Sequence, residues 1–164
     1  MDIMFEFISV RTFWRILLFC HFAMAVVLLA LVTFQAAAVL MPARQAAGNF
    51  ISRLPSAPSV ALAIVILYVP TFLLGAWVYI KYRTYVRIPM EQLAHWWTVG
   101  TFEFKEHVVT MGIALLPAFW YVWREPLSAH HASLRKWLTL FLAFAVWYAF
   151  LVGHTANDFR GVGA

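Results

Sequence analysis

The densest run of ionisable side chains is Phe102-Glu103-Phe104-Lys105-Glu106-His107-Val108, with two carboxylates, an ammonium and an imidazole beside long apolar stretches. Glu103 and His107 are one helical turn apart, so on a helix they share a face and can bond or ligate together. Glu106 turns about 100° away from them. Two further imidazoles, His21 and His154, stand in other apolar segments. Neutral imidazole is an iron ligand and a proton carrier near neutral pH, so three of them in apolar helices are the residues from which chemistry can be argued.

The elements that would carry these residues follow from composition. Hydrophobic residues make up 64% of the 164-residue chain and charged residues 12%, and the mean hydropathy is +0.80. A soluble domain averages about 25% charged residues, so too little polar surface is present for water to cover the whole molecule. The composition predicts an all-α integral membrane protein of one domain. Four transmembrane helices are expected, at about residues 13–41, 59–80, 98–123 and 134–154. An up-down bundle of four places both termini on the same side.

The spans are bounded by breakers. Pro42 and Arg44 end the first, and Pro42, Gly48, Asn49, Pro55 and Pro58 mark a loop that follows. Pro70 and Pro117 interrupt the second and third spans, and a kink is expected at each. Thr71 or a neighbouring helix is expected to satisfy the carbonyl that Pro70 frees, and Gly75 allows close helix approach with Tyr68, Tyr79 and Tyr82 roughly on its face. Tyr79-Ile80-Lys81-Tyr82-Arg83-Thr84-Tyr85-Val86-Arg87 alternates aromatic and basic residues and reads as an interfacial connection closed by Pro89. His21, Leu28 and Gln35 recur every seven residues and should face the bundle interior.

In an up-down bundle, the start of the first span, the end of the second, the start of the third and the end of the fourth share one level. His21, His107 and His154 therefore come to similar depth, bordered by Arg83, Arg87, Glu103 and Glu106. Three accounts fit. In the first, two of the histidines, His21 and His107 with His154 as substitute for either, are axial ligands of a b-type haem. Arg83 and Arg87 then bind the haem propionates, and Glu103 and Glu106 take up protons at a quinone site. Such a protein is a membrane cytochrome or a redox-complex subunit exchanging electrons with quinone or a partner. In the second, the chain is a cofactor-free accessory or scaffold subunit. Its glutamates then pair with Arg83, Arg87 or Lys105, and His21 bonds a carbonyl. In the third, His21, His107 and the glutamates form a non-haem metal site or a proton relay.

The lipid bilayer is the expected environment, with partner membrane subunits or further copies of the chain as partners. Nucleic acid is not expected, because the basic residues are scattered through short connections. The first twelve residues carry Asp2, Glu6 and Arg11, so no cleavable signal peptide is read here. A bacterial inner membrane is expected. Lys and Arg divide almost evenly between the two sides, and the dense Lys81–Arg87 run favours cytoplasmic termini. Cys20, the single cysteine, is expected as a buried thiol and excludes an intrachain disulfide. There is no GxGxxG, Walker loop, GxSxG, HExxH or CxxC. The two aspartates, Asp2 and Asp158, lie near the termini, which excludes an intramembrane aspartate dyad. Lys105 sits near a boundary, which argues against a retinal Schiff base. His95, His130 and His131 are set aside: the first precedes interfacial tryptophans, and the others lie at the opposite end.

Overall fold

The computed structural model describes residues 10–41, 57–125 and 129–159. These form four long helices, α1 (Val10–Leu40), α2 (Ala57–Tyr82), α4 (Trp96–Trp123) and α5 (Ala132–Phe159), with a short α3 (Ile88–Gln92) between α2 and α4. Most of the expected loop between the first two spans lies outside the described residues. α1, the helical run 57–92 and α5 are long and apolar enough to cross a membrane. Only 17% of the most apolar window of α1 is buried inside the protein. Its remaining apolar surface needs lipid or another chain, which supports a membrane protein.

Each long helix packs against two others, closing a ring in the order α1, α2, α4, α5. Side-chain contacts pair early residues of one helix with late residues of its neighbour. Phe13, His21 and Gln35 on α1 meet Trp77, Thr71 and Ala57 of α2. Tyr68 and Tyr82 on α2 meet Val109 and Phe102 of α4, and Thr101 and Trp123 of α4 meet Tyr148 and Thr139 of α5. Adjacent helices are thus antiparallel.

The main core is built from Leu28 and Val32 of α1, Ile64 and Tyr68 of α2, Leu116 and Phe119 of α4, and Leu142 and Val146 of α5. In lipid, helices associate through packing and interhelical hydrogen bonds rather than by escaping water, and the polar contacts follow that logic. Gln35 is fully buried and donates from Nε2 to the Ala57 carbonyl at 3.1 Å, tying α1 to the first turn of α2. The Trp123 indole donates to the Thr139 hydroxyl at 3.0 Å, and the Tyr68 hydroxyl to the Val109 carbonyl at 3.1 Å. Gly112 makes the latter possible, since a Cβ there would land on the Tyr68 hydroxyl. Arg135 of α5 donates to the Val122 and Glu125 carbonyls, closing the C-terminal end of α4 with a cation.

Three sequence expectations need correction. The Tyr79–Arg87 stretch is helical throughout: α2 passes through a π turn at Arg83–Arg87 directly into α3. Pro89 does not close it, because it occupies the first turn of α3, where a missing N–H costs little. The break comes at Leu93–Ala94, where Ala94 adopts φ of 57°. Second, α5 runs past the expected end at 154 to Phe159, so His154 lies within a helix. Third, Cys20 is exposed rather than buried. The inward face of α1 is the stripe of Leu17, Leu28, Val32 and Gln35, and Cys20 lies to one side of it. Pro70 and Pro117 both lie inside continuous helices. The Thr71 hydroxyl bonds the Leu67 carbonyl at 2.7 Å, not that of Ile66, whose partner Pro70 removes.

Candidate functional site

Towards the end of the bundle where α1 and α4 begin and α2 and α5 finish, the four helices line a cavity of about 460 Å³. Its wall is mostly apolar, with Leu18, Phe22, Phe72, Phe102, Val146 and Phe150 among the lining residues. The polar groups are His21 and Arg15 from α1, Tyr68, Thr71, Tyr79 and Tyr82 from α2, Lys105 and Glu106 from α4, and His154 from α5. A mainly apolar cavity of a few hundred cubic ångströms with a handful of converging polar groups is the general form of a small-molecule or cofactor site.

His21 is held by two features of α2. Its Nδ1–H donates to the Thr71 carbonyl at 3.0 Å, and its ring packs against Gly75, where an added Cβ would come within 2.9 Å of Cε1. A carbonyl only accepts, so Nδ1 carries the proton and the neutral ring keeps its lone pair on Nε2. This backbone bond is the usual device that orients a ligating or proton-accepting imidazole. Lys105 and Glu106 both act electrostatically on the His21 ring.

Lys105 and Glu106 form an ion pair at 2.8 Å, and the Lys105 side chain is only 15% exposed. Its ammonium lies 3.9 Å from the Phe102 ring centroid, a cation–π contact that lessens the cost of burying it. Phe102 stacks in turn on Tyr82, with centroids 3.6 Å apart and planes 11° from parallel. Tyr82, Val86, Met90, Val99 and Phe102 form a small second core beneath this floor. His154 stacks on Phe150 of its own helix, 6.4 Å between centroids, and Phe150 packs against Phe22 of α1.

The candidate residues thus separate into two groups. His21, His154 and Glu106 line the cavity. His107 is exposed on α4, its Nδ1–H donating to the Glu103 carbonyl of its own helix at 2.7 Å, and it is not among the lining residues. Its i,i+4 relation to Glu103 produces a backbone contact rather than a shared ligand position. Arg87 is bound to Glu91 and Glu103, each at 2.7 Å, and to the Tyr79 hydroxyl at 3.3 Å. Neither Arg83 nor Arg87 lines the cavity; the cations that do are Arg15 and Lys105. The ion pairs Arg87–Glu103 and Lys105–Glu106 are those the accessory-subunit reading anticipates. Among the described residues no three His, Cys, Asp or Glu side chains gather as a metal-ligand set.

Lys105 and the tyrosines were not singled out for the site by their types. The signal for the tyrosines was their spacing with Gly75, which places Tyr68, Tyr79 and Tyr82 beside it in the lining. Lys105 carried no such signal, because only the fold shows its stem crossing Phe102. No protein-family model, curated protein or solved structure matches this chain.

Proposed function

We propose that the chain is a four-span membrane protein of the bacterial inner membrane that carries electrons through a b-type haem seated in this cavity. His21 and His154 are the residues that would hold its iron in this reading. The observation that supports it is that two imidazoles from different helices line one mostly apolar cavity, with the His21 lone pair left on Nε2 by the bond to the Thr71 carbonyl. His107 is replaced by His154 because His107 lies outside the lining. For the propionates, Arg15 and Lys105 take the place of Arg83 and Arg87, since Arg87 already holds two carboxylates. A haem would supply one-electron chemistry here. The chain's own residues would hold the imidazoles in orientation, exclude water with Phe22, Phe102 and Phe150, and present Glu106 as a proton acceptor beside Lys105. α4 is the fourth span in this reading, with Glu103–His107 at the headgroup level. Both termini then lie on one membrane face, oriented to the cytoplasm by the Lys81–Arg87 cations.

The Lys105–Glu106 pair in the wall favours a second reading, in which the cavity holds a quinone head group directly. Lys105 would donate to a quinone carbonyl, and His21 Nε2 or Glu106 would accept a quinol hydroxyl proton.

Spectra of the full chain, expressed with haem supplementation and purified in mild detergent, separate these. The haem reading predicts low-spin bis-histidine bands that His21→Ala and His154→Ala each abolish and that His107→Ala leaves intact. A protein that folds but stays colourless removes haem. Retention of a quinone through purification then marks the second reading, and retention of neither leaves a cofactor-free accessory subunit.

A further inference from the structure

The cavity is open on one side, and that side is not the one that carries Lys105 and Glu106. Its exposed lining residues are Arg15, Phe19 and Phe22 of α1, Ala76 of α2 and His154 of α5, whereas every lining residue from α4 is buried or half-buried. The α1–α2 seam is packed on both sides of Ala76, by His21 against Gly75 and by Phe13 against Trp77. The α1–α5 seam is closed towards the bundle centre by Phe22 against Phe150, with ring centroids 5.9 Å apart. Deeper still, the Trp147 indole donates to the Thr33 hydroxyl at 3.0 Å. Antiparallel packing then sets Phe19, three residues before Phe22, level with Gly153, three residues after Phe150. Phe19 is 70% exposed, and a Cβ on Gly153 would meet nothing within 4 Å. The seam is therefore open at this level. At ~1.5 Å per residue, the 31-residue α1 overhangs a ~30 Å hydrocarbon core by roughly 8 Å at each end, and Phe19 lies ~14 Å along it. The opening thus faces acyl chains. Lys105 and Glu106 stand on α4, diagonally across the ring of helices from α1.

We propose that the cavity takes a long-tailed quinone from the bilayer, with its ring against Lys105 and Glu106 and its apolar tail leaving between Phe19 and Gly153 into lipid. This rests on the quinone reading of the cavity, the alternative to haem. The two sides of the cavity carry the argument. Lys105 and Glu106 offer a donor and an acceptor to a ring with two oxygens. Phe19, Phe22 and Phe150 give the opening an apolar rim, and Gly153 leaves the width of a hydrocarbon chain. Arg15 and His154 border the opening on its headgroup side, so the tail leaves inward of them. A tail-less, water-borne ligand gains nothing from an opening onto acyl chains, which is why the class is an amphiphile.

The test compares two probes, decylubiquinone and ubiquinone-0, which has the same ring and no tail. Equilibrium binding is measured on the full chain in phosphatidylcholine vesicles, with protein-free vesicles giving the partition of each probe. The space beside Gly153 lets Gly153→Leu put its side chain into the opening without displacing a neighbour. That variant should bind decylubiquinone roughly tenfold more weakly, through the cost of overpacking the tail path. It should bind ubiquinone-0 as the wild type does, which also shows that it is folded. Phe19→Trp, filling the opening from α1, serves if Gly153→Leu does not fold. Lys105→Gln should weaken both probes, because both present the ring. Unchanged decylubiquinone binding in the folded seam variant overturns the proposal, and so does an equal loss for the two probes. A wild type that binds neither probe removes the quinone reading itself, and this inference with it.

Discussion

At the scale of single residues, two glycines decide how closely α2 is approached. Gly75 lets the His21 ring lie on α2, and Gly112 lets the Tyr68 hydroxyl reach α4. Gly112→Ala should lower stability by about 1–3 kcal/mol through overpacking against Tyr68. Tyr68→Phe removes one interhelical hydrogen bond and should cost about 0.5–1.5 kcal/mol. The double variant should cost less than the sum, because the phenyl ring lacks the hydroxyl that clashes. Unfolding of the three variants in detergent checks this, and strict additivity would contradict it. The inward stripe His21, Leu28, Gln35 was legible as a seven-residue repeat, because a helix returns to the same face after two turns. The exposure of Cys20 was not, since residue type alone does not say which face of an apolar helix meets the protein and which meets lipid.

At the scale of elements, the π turn at Arg83–Arg87 joins α2 to α3 and sets Arg87 between Glu91 and Glu103. That arrangement ties the helical run 57–92 to the first turns of α4. Glu103→Gln removes one of two carboxylates from a partly exposed arginine and should cost about 0–1 kcal/mol, with the loss shrinking at high salt. Arg87→Ala removes both pairs and the Tyr79 contact, so it should cost more than Glu103→Gln in the same melts. Equal losses would mean that the α3 half of the network contributes nothing. Helix existence was readable from apolar run lengths, and the ends of α1, α2 and α4 fall within a few residues of expectation. The continuation through Pro89 was not readable. A proline after a basic, aromatic stretch marks a break in most contexts, and only the widened turn before it places Pro89 at a helix start.

At the scale of the whole molecule, the outward faces of α1, α2 and α5 are apolar over membrane-crossing lengths. Cys20 gives a direct probe, because it lies on the exposed side of α1, ten residues from the helix start. In native membranes its thiol should react with a lipophilic maleimide and resist a charged, membrane-impermeant one until detergent is added. Prompt labelling by the charged reagent would place that face in water. The cavity itself was only partly foreseeable. Antiparallel alternation predicts that His21 and His154 share a level, but rotation about the helix axis decides that His154 lines the cavity while His107 does not. A reduced-minus-oxidised absorption spectrum of the purified full chain tests the central claim most directly. The account predicts a sharp α-band and Soret shift of a low-spin bis-histidine haem, lost in His154→Ala and kept in His107→Ala. A flat spectrum from folded, haem-supplemented protein would contradict it.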